Sequence, residues 1–104
     1  MKEEIRRAIA VNAAAKINGK APSSVYSHEQ REHTAMSGGY DHLSQAHFNE
    51  SYHHGTQSHM SLTVNGKNFS GYDHGSGHHF SGSVNGGSVE IYDHSEGRHF
   101  NYSV

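Results

Sequence analysis

Residues 88–104 read Ser-Val-Glu-Ile-Tyr-Asp-His-Ser-Glu-Gly-Arg-His-Phe-Asn-Tyr-Ser-Val, and this stretch shows how the chain is built. Apolar and polar residues alternate on both sides of a short Ser-Glu-Gly segment, which is typical of two β-strands joined by a tight turn. A tyrosine precedes the turn and is followed by histidines two and seven positions later. The stretch therefore predicts a β-hairpin marked by the pattern Tyr-x-His-x-x-x-x-His.

The same pattern begins at Tyr26, Tyr40, Tyr52, Tyr72 and Tyr92. With 12 histidines in 104 residues, chance would give a tyrosine both histidines about once in 75, so the recurrence indicates an internal repeat. His53 and His78 are the histidines outside the pattern. The repeat predicts a domain assembled from similar hairpins.

Composition limits the classes of protein to which the chain can belong. A length of 104 residues favours a single domain, 1–104, with a small core. The absence of cysteine excludes disulfides and thiolate metal sites. The charge balance indicates no nucleic-acid partner, and no apolar run is long enough to span a bilayer. We expect a cytoplasmic protein, because the first residues lack the features of a secretory signal.

The chain divides at Pro22 into a helical segment and a region of strands and turns. Residues 2–18 predict an amphipathic helix, because Ile5, Ile9, Ala13 and Ile17 lie on one stripe. Asn18-Gly19 supplies its stop. We expect this helix to pack on the apolar face of the β region.

Residues 23–104, the repeated Tyr-x-His-x4-His region, predict an antiparallel meander of about eight strands, as an open sheet or a small barrel. Short connections join successive strands, and two of them contain Asn-Gly, a strong hairpin signal. Gly38-Gly39 fits either a bulge or an extra turn. The predicted strands are 23–28, 33–42, 47–54, 59–64, 67–74, 79–84, 88–94 and 99–104.

Side-chain alternation predicts two different faces for these strands. Met60, Phe80 and Ile91 share the parity of one apolar face, together with Phe100 and Tyr102. The opposite parity carries histidine, tyrosine, serine and threonine. The predicted fold is thus mainly β, with an apolar inner face and a histidine-rich outer face.

Placing the turn after the first histidine of each unit predicts that its two histidines face each other across the hairpin, for example His94 and His99. It also predicts that the units at Tyr26, Tyr52, Tyr72 and Tyr92 share one end of the sheet, with the unit at Tyr40 at the other. Two facing imidazoles are suited to coordinating one Zn, Ni or Cu ion. The candidate metal residues are His54, His59, His74, His79, His94 and His99.

An alternative interpretation treats the same histidines as cross-strand packing residues. A His-based hydrolase is another alternative, and no catalytic residue is assigned. The Asp-His pairs at Asp41, Asp73 and Asp93 invite this interpretation, but neighbours on a strand point to opposite faces. Aspartate before a tight turn more often accepts hydrogen bonds from turn amides. We therefore expect a non-enzymatic protein with a structural or binding role.

Self-assembly is the second functional interpretation. An open meander leaves edge strands near 23–28 and 99–104 whose backbone groups could pair with another copy. A partly covered apolar face could also pair with the same face of a second chain. On these grounds we expect a homo-oligomer, in which strand edges or apolar faces join subunits into a structural or filament-forming element.

Overall fold

The computed structural model describes all residues from Met1 to Val104 and contains one helix and ten short strands. The helix, α1, is Glu3–Asn18. The strands are β1 (Ser24–Ser27), β2 (Glu32–Ala35), β3 (Tyr40–Asp41), β4 (Ala46–His47), β5 (Tyr52–His53), β6 (Ser58–Asn65), β7 (Asn68–Asp73), β8 (His78–Asn85), β9 (Ser88–Asp93) and β10 (Arg98–Ser103).

The predicted mainly β antiparallel architecture is confirmed. Eight strands form one open sheet in the order β2-β1-β10-β9-β8-β7-β6-β5, and β3 and β4 form a separate hairpin. Every strand pairing is antiparallel. The meander arises because short turns join consecutive strands.

Two predicted strands, 33–42 and 47–54, are each divided by a turn. Gly38 and Gly39 have φ of 53° and 87°, which is the left-handed backbone that a two-residue hairpin turn requires. The backbones of Ser37 and Tyr40 exchange two hydrogen bonds of 3.0 Å across this turn. In the second segment, the Asn49 side chain accepts hydrogen bonds from two following amides. Gly38-Gly39 is therefore an extra turn, and the meander has ten strands where eight were predicted.

The predicted free edges near 23–28 and 99–104 pair with each other. Tyr26 lies opposite Ser103, and Ser27 lies opposite Tyr102. The strands at the two ends of the main sheet are instead β2 and β5, and hairpin β3–β4 lies between them. One bridge, Met36–Asp41, connects the hairpin to the β2 segment, and another, Phe48–His53, connects it to β5. We call this hairpin with its two bridges the seam.

Helix α1 is enclosed by the strands. All residues from Ile5 to Val11 are buried, and seven consecutive residues span about two helical turns, so every face of the helix is covered. The predicted packing of α1 on the apolar face of the β region is thus confirmed. The buried part of the helix surface is larger than the single narrow stripe predicted from the sequence. Alanines at positions 8, 10, 13 and 14 let the strands approach closely. Gly19, with φ of 76°, ends the helix as predicted, and α1 has neither the length nor the apolar character of a membrane-crossing helix.

The two predicted faces are confirmed, and glycines on the inner face make room for phenylalanine rings. Gly71 lies opposite Phe80, and Gly82 lies opposite Phe69. A Cβ on Gly71 or Gly82 would approach a neighbouring carbonyl oxygen to 1.9 Å, so neither position accepts a side chain. The two phenylalanine rings, 6.4 Å apart, fill this space beneath the outer histidine face.

Candidate functional site

All five repeats form the same four-residue turn. In the last unit the turn is 94–97 and the flanking pair is Asp93 and Arg98, so the predicted turn, Ser95–Arg98, begins one residue too late. Because each unit is one complete hairpin, all five turns lie at the same end of the strands. The predicted placement of the Tyr40 unit at the opposite end is therefore wrong, since the extra turn at Gly38-Gly39 reverses the chain once more.

The residue after each tyrosine caps the turn from inside. The Oδ1 atoms of Asp41, Asp73 and Asp93 accept a hydrogen bond from the amide two residues later, at 2.9, 3.1 and 2.9 Å. In the other units Ser27 Oγ and His53 Nδ1 accept from the amide three residues later. The predicted capping role of the aspartates is confirmed, and their neighbouring histidines lie exposed on the opposite face.

The turn also fixes which residues face each other. In every unit the tyrosine lies directly opposite the second histidine, as Tyr92 lies opposite His99. The prediction that His94 faces His99 is wrong, because the turn begins at His94 itself. Each tyrosine ring instead lies between its two imidazoles, with ring centroids 4.6–4.9 Å apart in all five units.

Facing histidines do occur, but between neighbouring units. The β6–β7 register places Met60 opposite Asp73, and one residue further the His74 amide donates to the His59 carbonyl at 2.9 Å. His94 donates to His79 in the same way at 3.3 Å, and His54 donates to His47 at 2.9 Å. We call these the facing pairs: His47/His54, His59/His74 and His79/His94.

The facing pairs connect four of the five repeats into one surface. Each ring in it is adjacent to the next along a strand or directly across from it. The unit at Tyr26 is separate, because its His28 lies beside Asn101 and Ala35 lies beside His42. We call this surface the His–Tyr belt; it comprises Tyr40, Tyr52, Tyr72 and Tyr92 with the two repeat histidines of each.

The structure brings together some of the six predicted metal residues and not others. His59 faces His74 and His79 faces His94, whereas His54 faces His47, which was not among the candidates. His99 faces Tyr92 and its Nδ1 is 3.6 Å from a carboxylate oxygen of Glu90. No group of three or more His, Cys, Asp or Glu side chains converges where it could hold a metal ion. The outer face thus presents imidazoles in pairs.

Beneath the turns, the inner face holds charged side chains that sequence reasoning did not identify. Arg6 donates to Asp93 Oδ2 at 2.9 Å and Arg7 donates to Asp41 Oδ2 at 2.9 Å. Burial tends to raise the pKa of Asp93, but hydrogen bonds from Ser95 and Arg6 outweigh it and hold this pKa below its usual value. The sequence signal for these ion pairs was the presence of two arginines in the helix together with aspartates in the repeat.

His53 is the other buried polar residue that the repeat pattern did not identify. It is fully buried, and its ring stacks on Phe48 with an interplanar angle of 7°. Nδ1 accepts from Thr56, while Nε2 has no partner. Burial lowers the pKa of His53. Its position immediately after Tyr52, where other units have Asp or Ser, was a usable signal.

Comparison with known proteins gives no relative: no family model, no curated protein and no solved structure matches the chain.

Proposed function

We propose that this protein is a non-enzymatic binding protein whose binding surface is the His–Tyr belt, and that transition-metal ions are its ligands. The observation that supports this proposal is the recurrence of facing pairs at three unit junctions. Directly opposed residues of an antiparallel pair have Cβ atoms roughly 4.5–5.5 Å apart, which allows two imidazoles to reach one ion.

Imidazole nitrogen suits Zn²⁺, Ni²⁺ and Cu²⁺. The belt histidines are exposed, so a bound ion keeps water in its remaining coordination positions. Neighbouring tyrosine rings pack against both histidines of each unit and restrict their rotamers, so less side-chain entropy is lost when an ion binds. Because a metal ion binds the deprotonated nitrogen of imidazole, its affinity for the belt should fall as the pH is lowered.

Removal of one facing pair tests this proposal. We expect Ni²⁺ titration of untagged protein at pH 7.5, followed by calorimetry, to give one ion fewer per chain for His79→Asn/His94→Asn than for the wild type. The matched control is His28→Asn/His33→Asn, which removes the two histidines of the separate unit and no facing pair. Equal loss of Ni²⁺ in both double variants would show that binding follows histidine number and would contradict the proposal.

Metal content of protein purified without a metal column gives an independent test. One element bound in stoichiometric amount would support a selected metal, and mass spectrometry of the purified chain measures it.

Homo-oligomerisation stays a prediction that sedimentation velocity can test. The two strands predicted as free edges pair with each other as β1 and β10, and α1 lies against the apolar face, so the strand edges that could join a second copy are those of β2 and β5.

A further inference from the structure

We infer that the His79/His94 pair, once loaded with a metal ion, is a binding site for a small oxyanion. This inference rests on the proposed function and names a second ligand for one of its pairs. His79 and His94 line a groove of about 440 Å³ on the outer face of β6, β7 and β8. An ion held by these imidazoles would have open coordination positions beside this groove.

The groove has a wall of rings and a floor of hydroxyls. Ser61 lies opposite Tyr72, and Tyr72 lies opposite His79. Because His79 in turn faces His94, these four side chains form one row across the strands. In the adjacent row Ser70 lies opposite Ser81. Because the serine side chains are small, they leave an open space above the sheet, and the larger rings beside it form the wall of the groove.

Hydroxyl donors in the floor suit an anionic ligand. Ser61 Oγ accepts the Tyr72 amide at 3.2 Å, which leaves its own proton free to donate. Ser70 is exposed and Ser81 is half-buried, so ligand atoms can reach both hydroxyls. Hydrogen bonds from neutral donors to an anion are shorter and stronger than those between neutral partners.

The charges around the groove make anion binding depend on the metal. No Asp or Glu lines it, so an oxyanion meets no direct repulsion although the chain has a net charge of −2. No Lys or Arg lines it either. The attraction must therefore come from the metal ion, with the serine hydroxyls giving orientation.

Inorganic phosphate is the probe for this inference. We expect calorimetry at pH 7.5 to show phosphate binding to the Ni²⁺-loaded chain and none to the metal-free chain. Ser70→Ala/Ser81→Ala should weaken phosphate binding about tenfold or more, with Ni²⁺ stoichiometry unchanged. Ser83→Ala is the matched control, because Ser83 lies on the same strand and face as Ser81 but outside the groove.

Different outcomes separate this inference from the proposed function. A chain that binds no Ni²⁺ overturns both. A chain that loses one Ni²⁺ in His79→Asn/His94→Asn, but binds phosphate equally in the serine double variant and in Ser83→Ala, overturns the oxyanion site alone. Phosphate binding to the metal-free chain, removal of the metal by phosphate, or unchanged phosphate binding after loss of the His79/His94 pair would overturn it as well.

Discussion

At the scale of single residues, the buried ring of His53 is unfavourable in two ways: one ring nitrogen has no hydrogen-bond partner, and protonation would bury a charge. Its Nδ1 accepts from the Thr56 amide, so in the neutral ring the proton lies on Nε2, which has no partner. A buried donor without a partner costs about 1–3 kcal/mol. Protonation would add a buried charge and place an N–H against the Thr56 N–H. The ring is therefore held in its neutral form by both burial and hydrogen bonding.

The charges near His53 oppose one another. Burial, the largest effect, lowers its pKa; Glu4 and Asp41 raise it, while Arg7 and His54 lower it. Since the folded pKa lies below the unfolded value of about 6.5, the unfolded state binds more protons below that pH. Stability from neutral His53 is thus fully present above pH 6.5 and is lost progressively as the pH falls.

His53→Asn should remove this dependence, because asparagine keeps an acceptor for the Thr56 amide and does not titrate. We expect the stability of the wild type relative to the variant to fall between pH 6.5 and 5 by up to about 1.4 kcal/mol per pH unit. Urea denaturation at each pH measures it. His78→Asn, at an exposed histidine outside the repeat, is the matched control, and a stability difference for His53→Asn that stays constant with pH would refute this account.

At the scale of the hairpin, the fifth residue after each tyrosine has left-handed backbone. Arg31, Gln45 and Gln57 have φ of 54–56° at this position, and Gly77 and Gly97 have φ of 72° and 69°. A residue with a Cβ pays roughly 1–2 kcal/mol in this region, whereas glycine does not. The first three hairpins therefore carry a strain that the last two avoid.

Gln57→Gly should stabilise the protein by about 1 kcal/mol, because it relieves the left-handed strain and Gln57 is exposed. The midpoint of urea denaturation measures the change. Gln30→Gly is the control: Gln30 is an exposed turn residue without positive φ, so glycine should lower stability there by about 0.5–1 kcal/mol. Destabilisation by both substitutions would argue against this assignment of strain.

The same turn shows where sequence reasoning succeeds and where it fails. Alternation assigned Met60, Phe80 and Ile91 to the inner face correctly, because parity along a strand is independent of register. Register depends on the residue at which the turn begins, and the left-handed position carries Arg, Gln or Gly, so composition did not mark it. The facing pairs were consequently predicted within units, whereas the structure places them between units.

At the scale of the whole molecule, buried ion pairs connect the enclosed helix to the turns. Arg7 pairs with Asp41, and their side chains are 5% and 0% exposed. Asp41 also caps the turn of hairpin β3–β4, so this pair attaches the helix to the seam. Tyr102 donates to Glu3 at 3.1 Å, and burial first, then the Glu3 charge, raises the pKa of this tyrosine. These contacts explain how two adjacent arginines are accommodated inside the strands.

Arg7→Met should lower stability by about 3–5 kcal/mol, because it leaves the Asp41 carboxylate buried without a cation. The loss should be accompanied by faster hydrogen exchange at the seam amides of His42 and His54, which hydrogen-bond across its two junctions. The double variant Arg7→Met/Asp41→Asn should recover most of the stability, since asparagine is neutral and can still accept the turn amides. Urea denaturation measures the four corners of this cycle.

Lys16→Met provides the matched control for the seam, because the Lys16–Glu50 pair is 39% and 55% exposed and should contribute less than about 1 kcal/mol. It should also leave exchange at His42 and His54 unchanged.

If the double variant Arg7→Met/Asp41→Asn lost the sum of the stabilities lost in the two single variants, the Arg7–Asp41 pair would not couple helix and hairpin. Faster exchange confined to the seam would show that the main sheet survives when this attachment is removed, which is expected because β1 pairs with β10 and the main sheet contains neither β3 nor β4.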